Sequence, residues 1–243
     1  MHSGRAARMN FPNVMPLMND KIYVVLFIVS SLFYIWYYDL YEKNPPETVT
    51  AALLKAFPIL SLAGYVADVK AKQPKKHEHL LDFVILGLLT SVLGDICLIL
   101  PQNLFVPGML FFAITHCFYA AALGKYSGGR ITKKVFFLTW MTGFIFIQSK
   151  VTSYTMKGLI MCYTALLFNT GWRATARCES EQTIGAFIGC VGAISLMSSD
   201  SLIAIDKWVL PIPKCEFLVM VTYYCGQLGI ALSTTPILNV KSM

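Results

Sequence analysis

Three observations predict an all-α, polytopic membrane protein with about eight transmembrane helices. Only 14% of the 243 residues are charged and 56% are hydrophobic, whereas a soluble domain carries roughly 25% charged residues. Apolar runs separated by short polar stretches recur from residue 22 to residue 236. None of them shows the ~10-residue alternation of a transmembrane β-strand. A run of about 18 apolar residues crosses a hydrocarbon core of roughly 30 Å as a helix. Helix is also the conformation that satisfies its backbone groups without help from lipid.

The first span, 22–38, follows about twenty mixed residues and ends in Trp36-Tyr37-Tyr38. It lacks the small residues of a cleavage site and reads as a retained anchor. The second, 49–67, opens on Val49-Thr50 and carries Lys55 and Pro58; the third, 80–100, carries Gly94-Asp95; the fourth, 104–123, carries His116. The fifth and sixth, 134–149 and 151–171, meet at Lys150 with almost no loop between them. The first and fifth are short, which leaves a seven-span alternative. The seventh, 183–204, carries Ser199-Asp200, and the eighth, 216–236, carries Gln227. The predicted organisation is a tail at 1–21, a transmembrane domain at 22–236 and a tail at 237–243. The longest polar stretches, the N-terminal tail and Asp68–His79, are too short for a core of their own.

The net charge of +7 is distributed by topology. Arg5, Arg8, Lys21, Lys70, Lys72, Lys75, Lys76, Lys125, Arg130, Lys133, Lys134, Arg173, Arg177 and Lys241 fall on one side of an eight-span chain. Lys43, Lys150, Lys207 and Lys214 fall on the other. Fourteen basic residues against four place the first side, with both termini, in the cytosol and favour an even span count. The basic loops then serve topology and weak attraction to anionic lipid, not nucleic acid. Five of the seven Cys lie inside spans and no CxxC pair occurs. Intramembrane Cys is a small apolar packer, so neither a metal site nor a disulfide is implied.

Ionisable residues within a span cost ~2.5–3.5 kcal/mol each on insertion scales and mark function by default. Lys55, Asp95, Lys157 and Asp200 are four such residues, with His116 and Gln227 as further polar groups. Counting residues at the helical rise puts Asp95 about 9 Å inside the non-cytosolic end, with the other three charges within a turn of that depth. Two positive and two negative groups thus form one layer. Lys157 lies close enough to its helix end to snorkel, and Lys55 either snorkels or serves as counter-ion to one Asp. His116 and Gln227 have a structural alternative, hydrogen bonding to a neighbouring helix. Asp is too short to snorkel, so the two Asp are the strongest functional candidates. Val49-Thr50-x4-Lys55 and Val151-Thr152-x4-Lys157 are a weak internal echo; 40 residues then separate Lys55 from Asp95 and 43 separate Lys157 from Asp200. Two four-helix halves of like orientation, a 4+4 parallel repeat, would set the Asp residues across a central cavity.

These residues recur in a recognisable order. Lys55-x-x-Pro58 is followed by Ser91-x-x-Gly94-Asp95-x-x-Leu98, Phe105-x-x-Gly108, His116-x-Phe118-Tyr119 and Gly171-Trp172-Arg173-Ala174. Ser199-Asp200-x-x-Ile203-Ala204, Pro211-x-Pro213 and Tyr223-Tyr224-x-x-Gln227 complete the set. Together they resemble the YhhN-like lysoplasmalogenase family, in its animal transmembrane branch, over roughly residues 50 to 235. Lys157, the N-terminal tail and the first span lie outside the resemblance. It implies hydrolysis of the sn-1 vinyl ether of lysoplasmalogens to a fatty aldehyde and glycerophosphoethanolamine or glycerophosphocholine. It further implies an intracellular membrane, the endoplasmic reticulum, no metal or other cofactor, and Asp95 with Asp200 as the catalytic couple.

The chemistry suits two carboxyl groups. Vinyl ether hydrolysis puts a proton on carbon and creates an oxocarbenium ion, which water then attacks. Glycosidases meet a related cation with a carboxyl pair. One Asp would donate the proton; the other, ionised beside Lys55, would stabilise the cation and activate water. His116, Tyr119, Tyr223 and Gln227 are candidates for positioning water or glycerol hydroxyls, and an apolar cavity between helices would take the alkenyl chain. Buried acids on many helices equally suit a proton-coupled transporter of lipids or small molecules, which is the alternative reading.

Overall fold

In the computed structural model, residues 17–42, 45–72, 78–100, 104–124, 126 and 128–235 are described. Of the expected tails, only 17–21 fall among them, and they already belong to the first helix. The chain forms eight α-helices in the expected order: α1 Leu17–Tyr34, α2 Val49–Lys72, α3 Glu78–Ile99, α4 Phe105–Ala122, α5 Arg130–Gln148, α6 Tyr154–Glu181, α7 Ile184–Trp208 and α8 Cys215–Leu232. No strand occurs among the described residues beyond an isolated bridge position at Thr183. Where the first span was expected to end, α1 passes into a π-helical stretch, Ile35–Glu42.

Six helices are long and apolar enough to cross a membrane; α5 and α6 fall short by composition. The reason is legible in their residues. Helix α5 opens on Arg130-Ile-Thr-Lys-Lys134. Helix α6 runs ten residues past the expected end at 171 and takes Arg173, Arg177, Glu179 and Glu181 into its last turns. This extension ties the loop end of the bundle together. Arg173 Nη1 donates to the Gly124 carbonyl at 2.9 Å and the Ala120 carbonyl at 3.1 Å. Tyr126 donates to Glu181, and Glu179 accepts from the Gly129 N–H at 2.6 Å and from Thr132. Arg173 and Arg177, expected in a loop, are thus helical residues: Arg173 satisfies carbonyls left over at the end of α4, and Arg177 pairs with Glu181 one turn on at 2.9 Å.

Lipid removes the hydrophobic drive between helices, so close packing and buried hydrogen bonds hold them together. Small residues let α7 and α8 come into backbone contact. A Cβ on Gly192 would stand 2.8 Å from the Ile230 nitrogen and 2.9 Å from the Gly226 oxygen; one on Gly229 would stand 2.7 Å from the Gly192 Cα. On the other side, Gly87 of α3 admits the ring of Tyr119, whose Cε1 would lie 2.3 Å from an added Cβ. Thr90 and Thr115 share a hydrogen bond of 2.8 Å between α3 and α4. Helix α5 is the exception, with no fully buried residue. The core therefore lies chiefly among α1, α2, α3, α4, α7 and α8, and it positions the polar residues.

Candidate functional site

Helices α3 and α7 each present one carboxylate to the same cavity, of about 140 Å³, lined by residues of α2 through α8. Asp95 is 1% exposed. Its Oδ2 accepts a hydrogen bond of 2.6 Å from the Tyr223 hydroxyl of α8, and its Oδ1 faces Lys55 Nζ of α2 at 3.7 Å. A buried carboxylate persists only when paired and hydrogen-bonded, and Asp95 has both. The backbone under Lys55 is held as well: the Tyr224 hydroxyl donates to the Lys55 carbonyl at 3.0 Å, three residues before Pro58.

Asp200 has a different environment. Its Oδ2 accepts 2.5 Å from the Tyr163 hydroxyl of α6 and lies 3.4 Å from His116 Nε2 of α4. His116 is 3% exposed, and its Nδ1 has no partner among the described residues. Nε2 is therefore the ring nitrogen that meets Asp200. The Thr170 hydroxyl donates to the His116 carbonyl at 3.1 Å and steadies that turn of α4 against α6.

The remaining walls are apolar: Trp140, Phe144 and Ile147 from α5, with Ile160, Leu167 and Phe168 from α6. Two carboxylates and Lys55 thus line an otherwise mostly apolar space. Each carboxyl group accepts a hydrogen bond from a tyrosine hydroxyl, a bond roughly twice as strong as a neutral one wherever the acceptor is ionised.

The structure brings together Lys55, Asp95 and Tyr223 in one group and His116 and Asp200 in another. Tyr119 and Gln227 form a third pair, the Tyr119 hydroxyl donating 2.5 Å to Gln227 Oε1. Both are buried behind the cavity wall and line none of it. Lys157 does not join the other three charges at the cavity. Its Nζ lies 5.6 Å from the ring centre of Tyr154 at the start of α6, and it lines no part of the cavity. The echo between Lys55 and Lys157 therefore has no chemical counterpart: Asp95 meets a lysine, Asp200 a tyrosine and a histidine. Sequence reasoning missed Tyr163. The available signal was a tyrosine in the middle of a span, whose hydroxyl must find an acceptor when buried. Among the described residues, no three His, Cys, Asp or Glu side chains gather closely enough to hold a metal ion.

Against known proteins, a family model described as the YhhN family matches residues 50–234. Lysoplasmalogenase TMEM86A of Bos taurus is 31% identical over 208 residues, covering 81% of this chain and 83% of the relative. Lysoplasmalogenase TMEM86B of Homo sapiens is 31% identical over 197 residues, covering 81% of this chain and 80% of the relative. The human TMEM86A lysoplasmalogenase is 34% identical over 160 residues, 62% of this chain and 64% of the relative. No solved structure matches the fold significantly.

Proposed function

The chain belongs to the YhhN family, and on that footing we propose that it is a membrane-embedded hydrolase of the sn-1 vinyl ether bond of lysoplasmalogens. The observation that carries this reading is the pair of carboxylates, from α3 and α7, that line one apolar cavity, each fastened by a tyrosine hydroxyl. One carboxyl group delivers its proton to the vinyl carbon distal to the ether oxygen. The resulting oxocarbenium ion is stabilised by the ionised partner, and water adds to the carbon that bears the oxygen. The hemiacetal then collapses to a fatty aldehyde and the freed glycerol hydroxyl, and the proton returns to the first carboxyl group. The aromatic and aliphatic walls from α5 and α6 suit the alkenyl chain. Tyr163, Tyr223 and His116 orient the carboxylates, while Lys55 balances the charge of Asp95.

Both termini face the cytosol in this reading, on the strength of the fourteen-to-four partition of basic residues, and the membrane is that of the endoplasmic reticulum. The test is purified full-length protein with lysoplasmalogen, read as free aldehyde. Release by the wild type and none by Asp95→Asn or Asp200→Asn is the expected result. A folded wild type that releases no aldehyde, yet moves protons or lipid in an Asp-dependent way, would replace the hydrolase with a transporter.

A further inference from the structure

A second cavity, of about 310 Å³, adjoins the first. The two share Lys55, Leu98, Phe105, Ile203, Val219 and Met220. The second opens toward the loop between α7 and α8 and differs in chemistry. Its own contributions include Asp206 and Lys207 from the last turn of α7 and Glu216 from the first turn of α8. Lys55 is the charged residue common to both, so a mostly apolar chamber lined by two carboxylates adjoins a vestibule bearing charges of both signs.

These vestibule charges are not equivalent. Asp206 is committed, since its Oδ1 accepts the Ile212 N–H at 2.7 Å and shapes the loop. Lys207 is held at the mouth, its Nζ 4.3 Å from the ring centre of Phe105. Glu216 is exposed and makes no side-chain hydrogen bond or ion pair within 4 Å among the described residues, although it lies within electrostatic range of Lys55 across the vestibule. The spacing is regular. Lys207 lies seven residues beyond Asp200 on α7, and Glu216 seven residues before Tyr223 on α8. Each step is about 10 Å of helical rise. From the sn-1 oxygen of an ethanolamine lysolipid, phosphorus lies about 6 Å away and the ammonium nitrogen about 11 Å away, at roughly 1.25 Å of reach per single bond.

We propose that this vestibule is the headgroup subsite, with Lys207 meeting the phosphate and Glu216 the primary ammonium of an ethanolamine lysophospholipid. The proposal rests on the hydrolase reading of the adjoining chamber and deepens it. A carboxylate matches an ammonium that has three N–H donors. A quaternary ammonium has none and is recognised by aromatic faces. The vestibule offers no aromatic cage among the described residues: Tyr34 and Phe105 are its aromatic members, and Phe105 already faces Lys207. Ethanolamine is therefore preferred to choline, through KM and not kcat.

The experiment compares full-length wild type, Glu216→Gln, Lys207→Gln and Lys207→Arg in lipid nanodiscs. Vinyl ether lysolipids with ethanolamine and choline headgroups are assayed for aldehyde. Their saturated ether counterparts, which hold no double bond to protonate, are assayed for binding. Glu216→Gln is expected to raise KM about fivefold for the ethanolamine substrate, the weight of an exposed charge pair, and to leave the choline substrate within about twofold. Lys207→Gln should raise KM for both, and Lys207→Arg should restore it. Unchanged KM in Glu216→Gln and Lys207→Gln, or equal effects of Glu216→Gln on the two headgroups, would overturn the subsite while leaving the hydrolase intact. Should the wild type release no aldehyde, the hydrolase reading falls by itself. The saturated ether lipids then decide the vestibule: ethanolamine-selective loss of binding in Glu216→Gln supports it, and unchanged binding overturns it.

Discussion

The two carboxylates sit in one cavity but in contrasting surroundings. Asp95 is enclosed by Lys55 and Tyr223, with 1% of its side chain exposed, whereas Asp200 keeps 16% exposed between Tyr163 and His116. Each is held by a tyrosine hydroxyl, but the first also faces a lysine ammonium and the second a histidine ring. One residue type thus acquires two environments because its neighbours come from different helices: α2 and α8 around Asp95, α4 and α6 around Asp200.

The sharpest way to break the contrast is to remove each carboxylate. Asp95→Asn and Asp200→Asn should each lower aldehyde release by about 10²- to 10⁴-fold, the range for a positioned proton donor or acceptor. The double variant should be little worse than either single one, because residues that act as a unit are not additive. Retained release in both folded single variants would remove the site.

The next effect should be confined to the Asp95 side. Lys55→Met leaves a buried carboxylate without its counter-ion, and breaking such a pair costs about 3–5 kcal/mol. Its thermal unfolding should therefore come well below that of the wild type. Combining it with Asp95→Asn removes both charges and should recover part of the loss, a coupling that a double-mutant cycle measures directly. Strictly additive losses would show that the 3.7 Å approach carries no interaction energy.

A smaller, symmetrical effect is expected at the tyrosines. Tyr163→Phe and Tyr223→Phe each delete one hydrogen bond to a carboxyl group, worth about 1.5–3 kcal/mol where the acceptor is ionised. Activity should fall roughly 10- to 100-fold in each, with the fold retained by circular dichroism. Loss in Tyr223→Phe alone would make Asp95 the only carboxylate with work to do. The smallest effect should come from Lys157→Gln. Its ammonium sits by Tyr154, outside the cavity, so aldehyde release should stay within about twofold, as for substitutions away from special features. A large loss would restore the four-charge layer.

Much of the architecture was legible in the residues. All eight spans appear as helices, and the third, fourth and seventh spans agree with α3, α4 and α7 to within a few residues. The larger differences have local causes. Helix α6 continues to Glu181 because its polar last turns find carbonyl, N–H and hydroxyl partners in the α4–α5 connection, which hydropathy does not register. Of the site, Asp95, Asp200 and Lys55 were legible as charges too costly to bury without a use. Tyr163 was not, because a tyrosine in a span is ordinary until its hydroxyl is seen on Asp200.

By itself, the sequence determined that the chain is helical and membrane-spanning, where its spans lie and which residues are out of place in lipid. These are properties of each segment's own transfer from water, which adds along the chain and needs no knowledge of neighbours. Tertiary structure decided the partners: that Lys55 meets Asp95, that Asp200 is given a tyrosine and a histidine, that Lys157 stays idle, and that Tyr119 and Gln227 close on each other behind the wall. Partnership depends on how each helix is rotated about its axis. That rotation is set by contacts such as Gly192 against Gly226 and Ile230, between residues distant in sequence, because close packing, not hydropathy, holds helices together in lipid.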